Sequence, residues 1–336
     1  IPAIEESLCG RDAELVVADN GSTDGSVEML ATHFPGIRTI VLDRNYGFTG
    51  GYNRAMARLL SGPGPRPEYL ILLNSDILVE PGWLDRLTDY MDTHPECGIC
   101  GPKLLALTHK DGAYIQTDRL EYAGAAGGYI DRFGYPFCRG RVLSRTDVDG
   151  PGYSSVKDVL WVSGACLMTR ASLWEESGGL DERFFAHMEE IDYCWRAQLA
   201  GHRVRVVPSS RVWHLGGGTL PRTSATKLRL NYRNGLLLLD NNLAPTIGRF
   251  KARVRIITRL VLDDCSALVY LLAGKADFCG SVFRAHREYR RLRKVPHKAV
   301  SGNGDVRGVA PVCIILQSLL RGERIFDYLR RYEDSH

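Results

Sequence analysis

In Tyr69-Leu70-Ile71-Leu72-Leu73-Asn74-Ser75-Asp76, apolar residues run straight into a polar triplet that ends on a carboxylate. A continuous apolar run of this length, bounded by turn residues, reads as a buried strand. Glu14-Leu15-Val16-Val17-Ala18 has the same design. It ends at Asp19 and meets the turn Asn20-Gly21-Ser22-Thr23-Asp24-Gly25, where Thr23 or Asp24 can cap a helix running to Phe34. Working outward, Arg38 to Leu42 reads as a strand, Gly50-Gly51-Tyr52-Asn53 leads into a helix ending near Leu60, and Pro81-Gly82-Trp83 opens another. Strands alternating with helices imply an α/β domain on a mainly parallel sheet. Val159 to Met168 reads as a strand, Glu189 to Ala200 as a helix stopped by Gly201, and Val204 to Val207 as a strand with Trp213-His214 just beyond it. Residues 110–158, rich in Gly, Tyr and Arg, have weak periodicity and read as an irregular insertion that includes a mobile loop. Ile1 to Cys9 already reads as a helix. The apolar strand that normally opens such a domain is therefore expected ahead of it, lost by truncation.

The chain of 336 residues suits one large domain, or one domain with a helical appendage. Hydrophobic (44%) and charged (24%) fractions are ordinary for a globular protein, which argues against disorder. A net charge of +4 does not point to nucleic acid. The 9 cysteines lie mostly among apolar residues, as reduced thiols of a cytoplasmic protein would. Cys97 and Cys100 form a lone C-x-x-C that cannot complete a zinc site, and Gly98-Ile99 reads as the start of a buried strand. No secretory signal is visible. Ile256 to Ala273 is broken by Arg259, Asp263 and Asp264, so it is an amphipathic or core helix rather than a membrane span. From Arg249 to Lys294 cations are interleaved with Ile, Leu, Val and Phe, which suits either contact with anionic lipid or the solvated face of packed helices. Ile314 to Leu320 is equally compatible with a homo-oligomer contact.

Three constellations carry chemistry. Asp19, at a strand's carboxyl end, stands where ligands bind in open α/β sheets and can accept from a ribose or a pyrimidine N–H; the same turn also serves as a helix cap. Asn74-Ser75-Asp76 is D-x-D-like. Mg²⁺ or Mn²⁺ takes oxygen ligands and often only one or two carboxylates, with diphosphate oxygens filling the shell, and Asn74 can act as a neutral oxygen donor. In Phe184-Phe185-Ala186-His187-Met188-Glu189-Glu190-Ile191-Asp192, three carboxylates crowd a helix N-terminus, more than capping needs. Ile191, Cys194, Trp195 and Leu199 form the apolar face. Glu190 borders that face, and Glu189 and Asp192 share another side. The helix dipole favours an ionised carboxylate there, as a general base requires. The Gly-rich turn from Gly47 to Gly51 can approach a phosphate, but it is not the dinucleotide G-x-G-x-x-G, so a dehydrogenase reading is weak. His214, before Gly216-Gly217-Gly218, reads as a metal ligand or as a structural histidine.

Six segments, ADNGSTDGS, NYGFTGGYNRA, LLNSDILVEPGWL, VSGACLMTR, GGLDERFFAHMEEIDYCWR and VWHLGGGTL, span roughly residues 14–240. Together they resemble family 2 glycosyltransferases, especially bacterial rhamnosyltransferase-like members. The resemblance implies a GT-A nucleotide-diphospho-sugar transferase fold, a Rossmann-like mixed sheet flanked by helices, over residues 1–225, with a helical, basic C-terminal region over 226–336. It implies an inverting, metal-dependent enzyme that moves a sugar, rhamnose in the nearest case, from a dTDP-, UDP- or GDP-sugar to a glycan or lipid-linked acceptor in cell-surface polysaccharide synthesis. Such an enzyme would be cytoplasmic and peripheral on the inner face of the membrane. By the same resemblance Asp19 contacts the nucleotide, with Asn45, Gly51 and Asn53 nearby. Asp76 holds Mg²⁺ or Mn²⁺ and the diphosphate, with Asn74 and His214. Glu190 stands where the family places an Asp base, one methylene longer, with Glu189 and Asp192 in reserve. Arg233, in Asn231-Tyr232-Arg233-Asn234, is the foremost cation for the leaving diphosphate, ahead of Lys227 and Arg229. The alternative is a catalytically inactive nucleotide-sugar or glycan-binding module. A nucleotidyltransferase would want a basic, Gly-rich triphosphate loop near its start, and none is present.

Overall fold

The structure is a computed structural model, and it describes residues 1–216, 224–298, 302 and 304–334. After α1 (Pro2–Leu8), β1 (Val16–Asp19), α2 (Ser26–His33) and β2 (Arg38–Val41) make a first βαβ unit, with β1 parallel to β2. Helix α2 starts from left-handed Gly25 with no side-chain cap; Asp24 Oδ1 instead accepts from Ser26 N at 3.1 Å. Then come α3 (Gly47–Leu60), β3 (Tyr69–Leu73), β4 (Ile77–Val79), α4 (Trp83–Thr93), β5 (Cys97–Lys110) and β6 (Ala113–Leu120). The apolar run at 69–73 is the strand its composition implies. Helix α4 buries Trp83, Leu84, Leu87 and Met91 on one face against Cys97, Cys100 and Cys166. Those thiols are free and buried.

The segment read as irregular is ordered. Strands β7 (Gly128–Asp131), β8 (Pro136–Cys138), β9 (Arg141–Val142) and β10 (Arg145–Thr146) form a small second sheet. They are two to four residues long, and all of β7 is buried, so no alternation was there to be read. After β11 (Lys157–Asp158), residues 159–165 are not a strand. They bury Val159, Leu160, Trp161 and Val162 without joining the sheet as a strand, and β12 begins at Cys166 (Cys166–Arg170).

Helices α5 (Ala171–Ser177) and α6 (Glu189–Leu199) lead to β13 (Arg203–His214). Gly201, just past α6, is left-handed as expected. Strand β13 runs well past Val207: its register shifts between Val207 and Arg211, and Pro208 sits in the irregularity, where a missing N–H does no harm. The central mixed sheet has the order β11-β13-β5-β12-β3, with β4 on β13 and β6 on β5. Strand β13 is parallel to β5, and β12 is antiparallel to both β5 and β3.

Helices α7 (Ala225–Ile247), α8 (Arg249–Leu272) and α9 (Ala276–Leu292) pack on one another, and α7 also packs on α6. Leu236 to Leu239 of α7 join the same core as Trp195 of α6 and Leu72 of β3. The chain then adds β14 (Val309–Ala310), parallel to β7, followed by α10 (Ile314–Arg321) and α11 (Ile325–Asp334).

Candidate active site

Asp19 ends β1 and is buried; its Oδ1 accepts from Gly21 N at 3.1 Å and Ser22 N at 3.0 Å, closing the turn beneath it. The neighbouring Asn20 links this turn to the next: its Nδ2 donates to Gly47 O at 2.9 Å and its Oδ1 accepts from Tyr46 N at 3.0 Å. Asn45 joins the bracket, its Oδ1 accepting from Gly47 N at 2.8 Å. The Gly-rich turn is the first turn of α3 itself rather than a loop before it. One position there needs glycine: Gly47 has φ +72, and a Cβ on it would meet the Phe185 ring at 2.5 Å, while a Cβ on Gly51 would press on the Asn20 amide at 3.0 Å. Asn53 lies further along α3. It donates to Leu180 O at 2.8 Å and accepts from Leu180 N at 3.0 Å, so its amide braces α3 against the segment leading to α6.

At the end of β3, Asn74 N donates to Ala165 O at 2.9 Å. Strand β4 then pairs antiparallel with β13, Ile77 opposite His214, and this register brings Asp76 to the histidine. His214 Nε2 lies 3.2 Å from Asp76 Oδ1, and Nδ1 faces Glu121 Oε1 at 3.4 Å, near but poorly aligned for a hydrogen bond. Burial works against a charged imidazole, but the two carboxylates outweigh it and lift His214 to about 9. With no metal bound, the two carboxylates favour the protonated imidazole between them. A divalent cation in the proton's place would find one oxygen and one nitrogen donor, a fit for Mg²⁺ or Mn²⁺ only if diphosphate oxygens complete the shell. Among the described residues no cluster of three or more His, Cys, Asp or Glu side chains is placed to hold a metal ion. Glu121 was not foreseen; it follows a mostly exposed polar strand, and its one sign was its place just before Gly-Ala-rich sequence.

The third constellation stands on a strained base. Phe185, His187 and Met188 all have positive φ (63°, 72° and 69°), a costly run for side-chain-bearing residues, immediately before α6. Asn234 of α7 holds it. Its Nδ2 faces the carbonyls of Phe184 (3.1 Å), Ala186 (2.8 Å) and His187 (2.7 Å), and its Oδ1 accepts from Arg233 Nε at 2.8 Å. On the other side Phe185 O accepts from Thr49 N of α3 at 3.2 Å. A buried Asn in a Leu-rich helix was the available sign of this clamp, since buried amides demand partners.

Glu189 is buried. Burial and the neighbouring Glu190 raise its carboxyl well above the usual range, and its Oε2 has no hydrogen-bond partner. Burial also lifts Glu190 to about 7, the backbone amides at the start of α6 holding it back from rising further. A β-carbon built on Gly164 would lie 3.5 Å from Glu190 Cβ, so Glu190 borders the turn whose Ala165 carbonyl holds Asn74. His187 is half-buried, and burial plus the charge of Lys227 push it down to about 4, leaving it neutral.

Two sequence expectations need correction. Asp192 is fully buried and committed: Oδ2 accepts from Arg196 Nε at 2.7 Å, and Oδ1 from Asn241 and Asn242, both at 2.8 Å. It is a packing hub with no room for a proton-transfer role. Arg233, chosen for the diphosphate, is buried; it donates to Phe184 O at 2.6 Å and pairs with Glu288 at 3.4 Å. Its charge supports the clamp. Arg229 is likewise paired with Glu288.

Comparison with known proteins places this geometry. The sequence model of glycosyl transferase family 2 matches residues 2–121. An N-acetylglucosaminyl-diphospho-decaprenol L-rhamnosyltransferase of Mycobacterium tuberculosis is 30% identical over 234 residues, 68% of this chain and 75% of that protein. The rhamnosyltransferase WbbL of Escherichia coli is 24% identical over 202 residues, 60% of this chain and 72% of its own. Among solved structures, GalNAc-T7 with UDP, GalNAc and Mn²⁺ superposes with a TM-score of 0.50 at 15% identity, over 68% of this chain and 42% of that one, a likeness of fold alone. A GT-A sheet with its acidic strand ends, a carboxylate-rich helix start and these relatives lead to one assignment: the chain belongs to glycosyl transferase family 2, among its bacterial rhamnosyltransferase-like members.

Proposed function

We propose that the chain is an inverting, metal-dependent transferase that moves a sugar, with rhamnose the first candidate, from a nucleoside-diphosphate sugar to a hydroxyl of a lipid-linked glycan in cell-surface polysaccharide synthesis. The observation that carries this is the turn at Gly164-Ala165. Glu190, lifted to about 7, borders Gly164, and the backbone N–H of Asn74, in the Asn74–Asp76 triplet, is bonded to Ala165 O. A base and a diphosphate-binding end thus share one turn.

In this reading Glu190 accepts the acceptor's hydroxyl proton as the oxygen bonds to the anomeric carbon. The bond from that carbon to the diphosphate oxygen breaks, the nucleoside diphosphate leaves from the opposite face, and configuration inverts. Asp76 and His214 would hold Mg²⁺ or Mn²⁺, a Lewis acid that offsets the charge growing on the diphosphate. Asp19 and the Asn20–Asn45 bracket shape the nucleoside end. Glu189, kept protonated, can donate a hydrogen bond to a substrate oxygen beside the base. The relatives' names, one a diphospho-decaprenol rhamnosyltransferase, support the rhamnosyl donor and lipid-linked acceptor. We place the enzyme in the cytoplasm, peripheral on the inner face of the membrane, with residues 1–225 doing the chemistry and 226–336 facing that surface.

The test is nucleoside diphosphate release from a panel of dTDP-, UDP- and GDP-sugars, with a polyprenyl-diphosphate-linked sugar as acceptor. Release from one donor, with an inverted anomeric product, is expected. Donor binding without turnover on any acceptor would instead favour an inactive binding module.

A further inference from the structure

Helix α8 packs Ile256 and Leu260 against the core, yet it also buries an ion pair on that face and leaves an apolar row outside. Its inner face carries Ala252, Arg259, Asp263 and Ala267, all buried. Arg259 Nε donates to Asp263 Oδ1 at 2.7 Å and its Nη1 to Gly134 O at 2.9 Å, and His286 of α9 lies 3.6 Å from Asp263 Oδ2. The outer face is apolar. Phe250, Val254, Ile257, Val261, Leu268 and Leu272 recur at helical spacing, all exposed, with Phe250 and Leu272 each 80% open. Surface helices normally turn such a row inward, and a continuous exposed apolar row marks a contact surface. At 1.5 Å per residue the row is about 30 Å long.

Charge selects what covers it. Arg249, Lys251 and Arg253 are exposed around the row's first turn, Lys275 beyond its last, and Arg284, Arg287, Arg290 and Arg291 along α9, which packs beside α8. The one acid on the face, Asp264, stands 3.5 Å from His286 Nδ1. A second copy offers these cations few partners, the exposed acids near the row being Asp264 and Asp277. A parallel pairing of two α8 helices sets them against themselves, and an antiparallel one sets them opposite Leu271, Leu272 and Lys275. Phosphate headgroups over an acyl interior match both parts, apolar row and basic flank.

We propose that the outer face of α8 docks the chain onto an anionic lipid bilayer, its apolar row at the headgroup–acyl boundary and Arg249, Lys251 and Arg253 on lipid phosphates. This deepens the membrane-surface setting proposed above and rests on it, while its test needs no turnover. The full chain is floated with phosphatidylcholine vesicles with and without phosphatidylglycerol. It should float only with the anionic vesicles. Replacing Ile257, Val261 and Leu268 together by Ser should weaken partitioning at least about hundredfold, and Lys251→Gln with Arg253→Gln about thirtyfold. Wild-type protein that stays behind, or a triple variant that floats like wild type, overturns the proposal. So does a wild-type dimer that the triple variant turns into monomer with no effect on flotation, which would give the face to a second copy. Turnover with a short-chain soluble acceptor separates the two readings: kept by a chain that does not float, it sinks the docking and spares the transferase.

Discussion

Glu190 is under opposed influences: burial favours its protonated form, and the amides of the helix start favour its carboxylate. The balance near 7 gives a direction for pH. Only the carboxylate can accept a proton, so kcat/KM should rise about tenfold per pH unit below 7 and level off above it. Glu190→Gln should lower kcat by about 10²–10⁴ while the dissociation constant for the donor stays put, and should abolish that rising limb. A variant that keeps the limb would move the base to Glu189. At the opposite strand end, Glu121 supplies a negative charge 3.4 Å from His214 Nδ1 without being a ligand candidate itself. If the pair holds Mn²⁺, Glu121→Gln should weaken it about 10–100-fold by titration calorimetry, and EDTA should stop turnover until Mn²⁺ is restored. The Asp76–His214 encounter was legible because both residues sit at ends of apolar runs, where the topology gathers chemistry. Asp192 and Arg233 were misassigned for a physical reason. A charged residue in a motif looks alike whether it faces substrate or a buried partner; Arg196 lies one helical turn from Asp192, but Asn241, Asn242 and Glu288 are brought in only by packing.

The loop of Phe185 to Met188 is where two elements are joined to the start of α6. Thr49 of α3 holds Phe185 O, and Asn234 of α7 holds the carbonyls around it. Backbone held in three left-handed positions relaxes unless its surroundings prevent it. Asn234→Ala should therefore let the start of α6 shift. Misplacement of a reacting group by about 1 Å costs about 10² in rate, so if Glu190 is the base, kcat should fall toward a hundredth while donor affinity, proposed to lie at the ends of β1 and β3, changes little. Asn234→Gln, with the same amide on a longer arm, should recover only part. Equal losses in kcat and donor affinity would mean that the whole site collapses and that the clamp is merely structural. Elements with strong signals were readable: β3 as an apolar run, α4 from its Pro81-Gly82-Trp83 start, and α6 with its stop at Gly201. Those that failed have no pattern of their own. Strands β8 to β10 are two or three residues long and are defined by their partners, while β13 continues past Pro208 because the irregularity between Val207 and Arg211 absorbs it.

The C-terminal region is sewn into the sheet part of the molecule. Strand β14 extends the small sheet beside β7, and Ile314, Ile325, Phe326 and Leu329 enter the core that also holds Trp161 and Trp195. At the seam Arg139, on the loop after β8, is fully buried. It donates from Nε to Glu333 Oε2 at 2.9 Å, and its other nitrogens reach Ala126 O at 3.3 Å and Gly152 O at 3.1 Å. The proposed division at residue 225 would then be one of labour alone, since the core is shared across it. The seam makes that measurable. Glu333→Ala leaves a guanidinium buried without its counter-charge, which costs about 3–5 kcal/mol, and should lower the urea midpoint of one cooperative transition reported alike by helix content and tryptophan fluorescence. Pairing it with Arg139→Met removes the stranded charge and should recover most of that loss, less what the two carbonyls left without donors forfeit. If the C-terminal region folded independently, Glu333→Ala would split the transition in two and leave the tryptophan-reported half at its original midpoint. Because Trp161 and Trp195 share a core with Phe326 and Leu329, a single shifted transition is the outcome the packing requires.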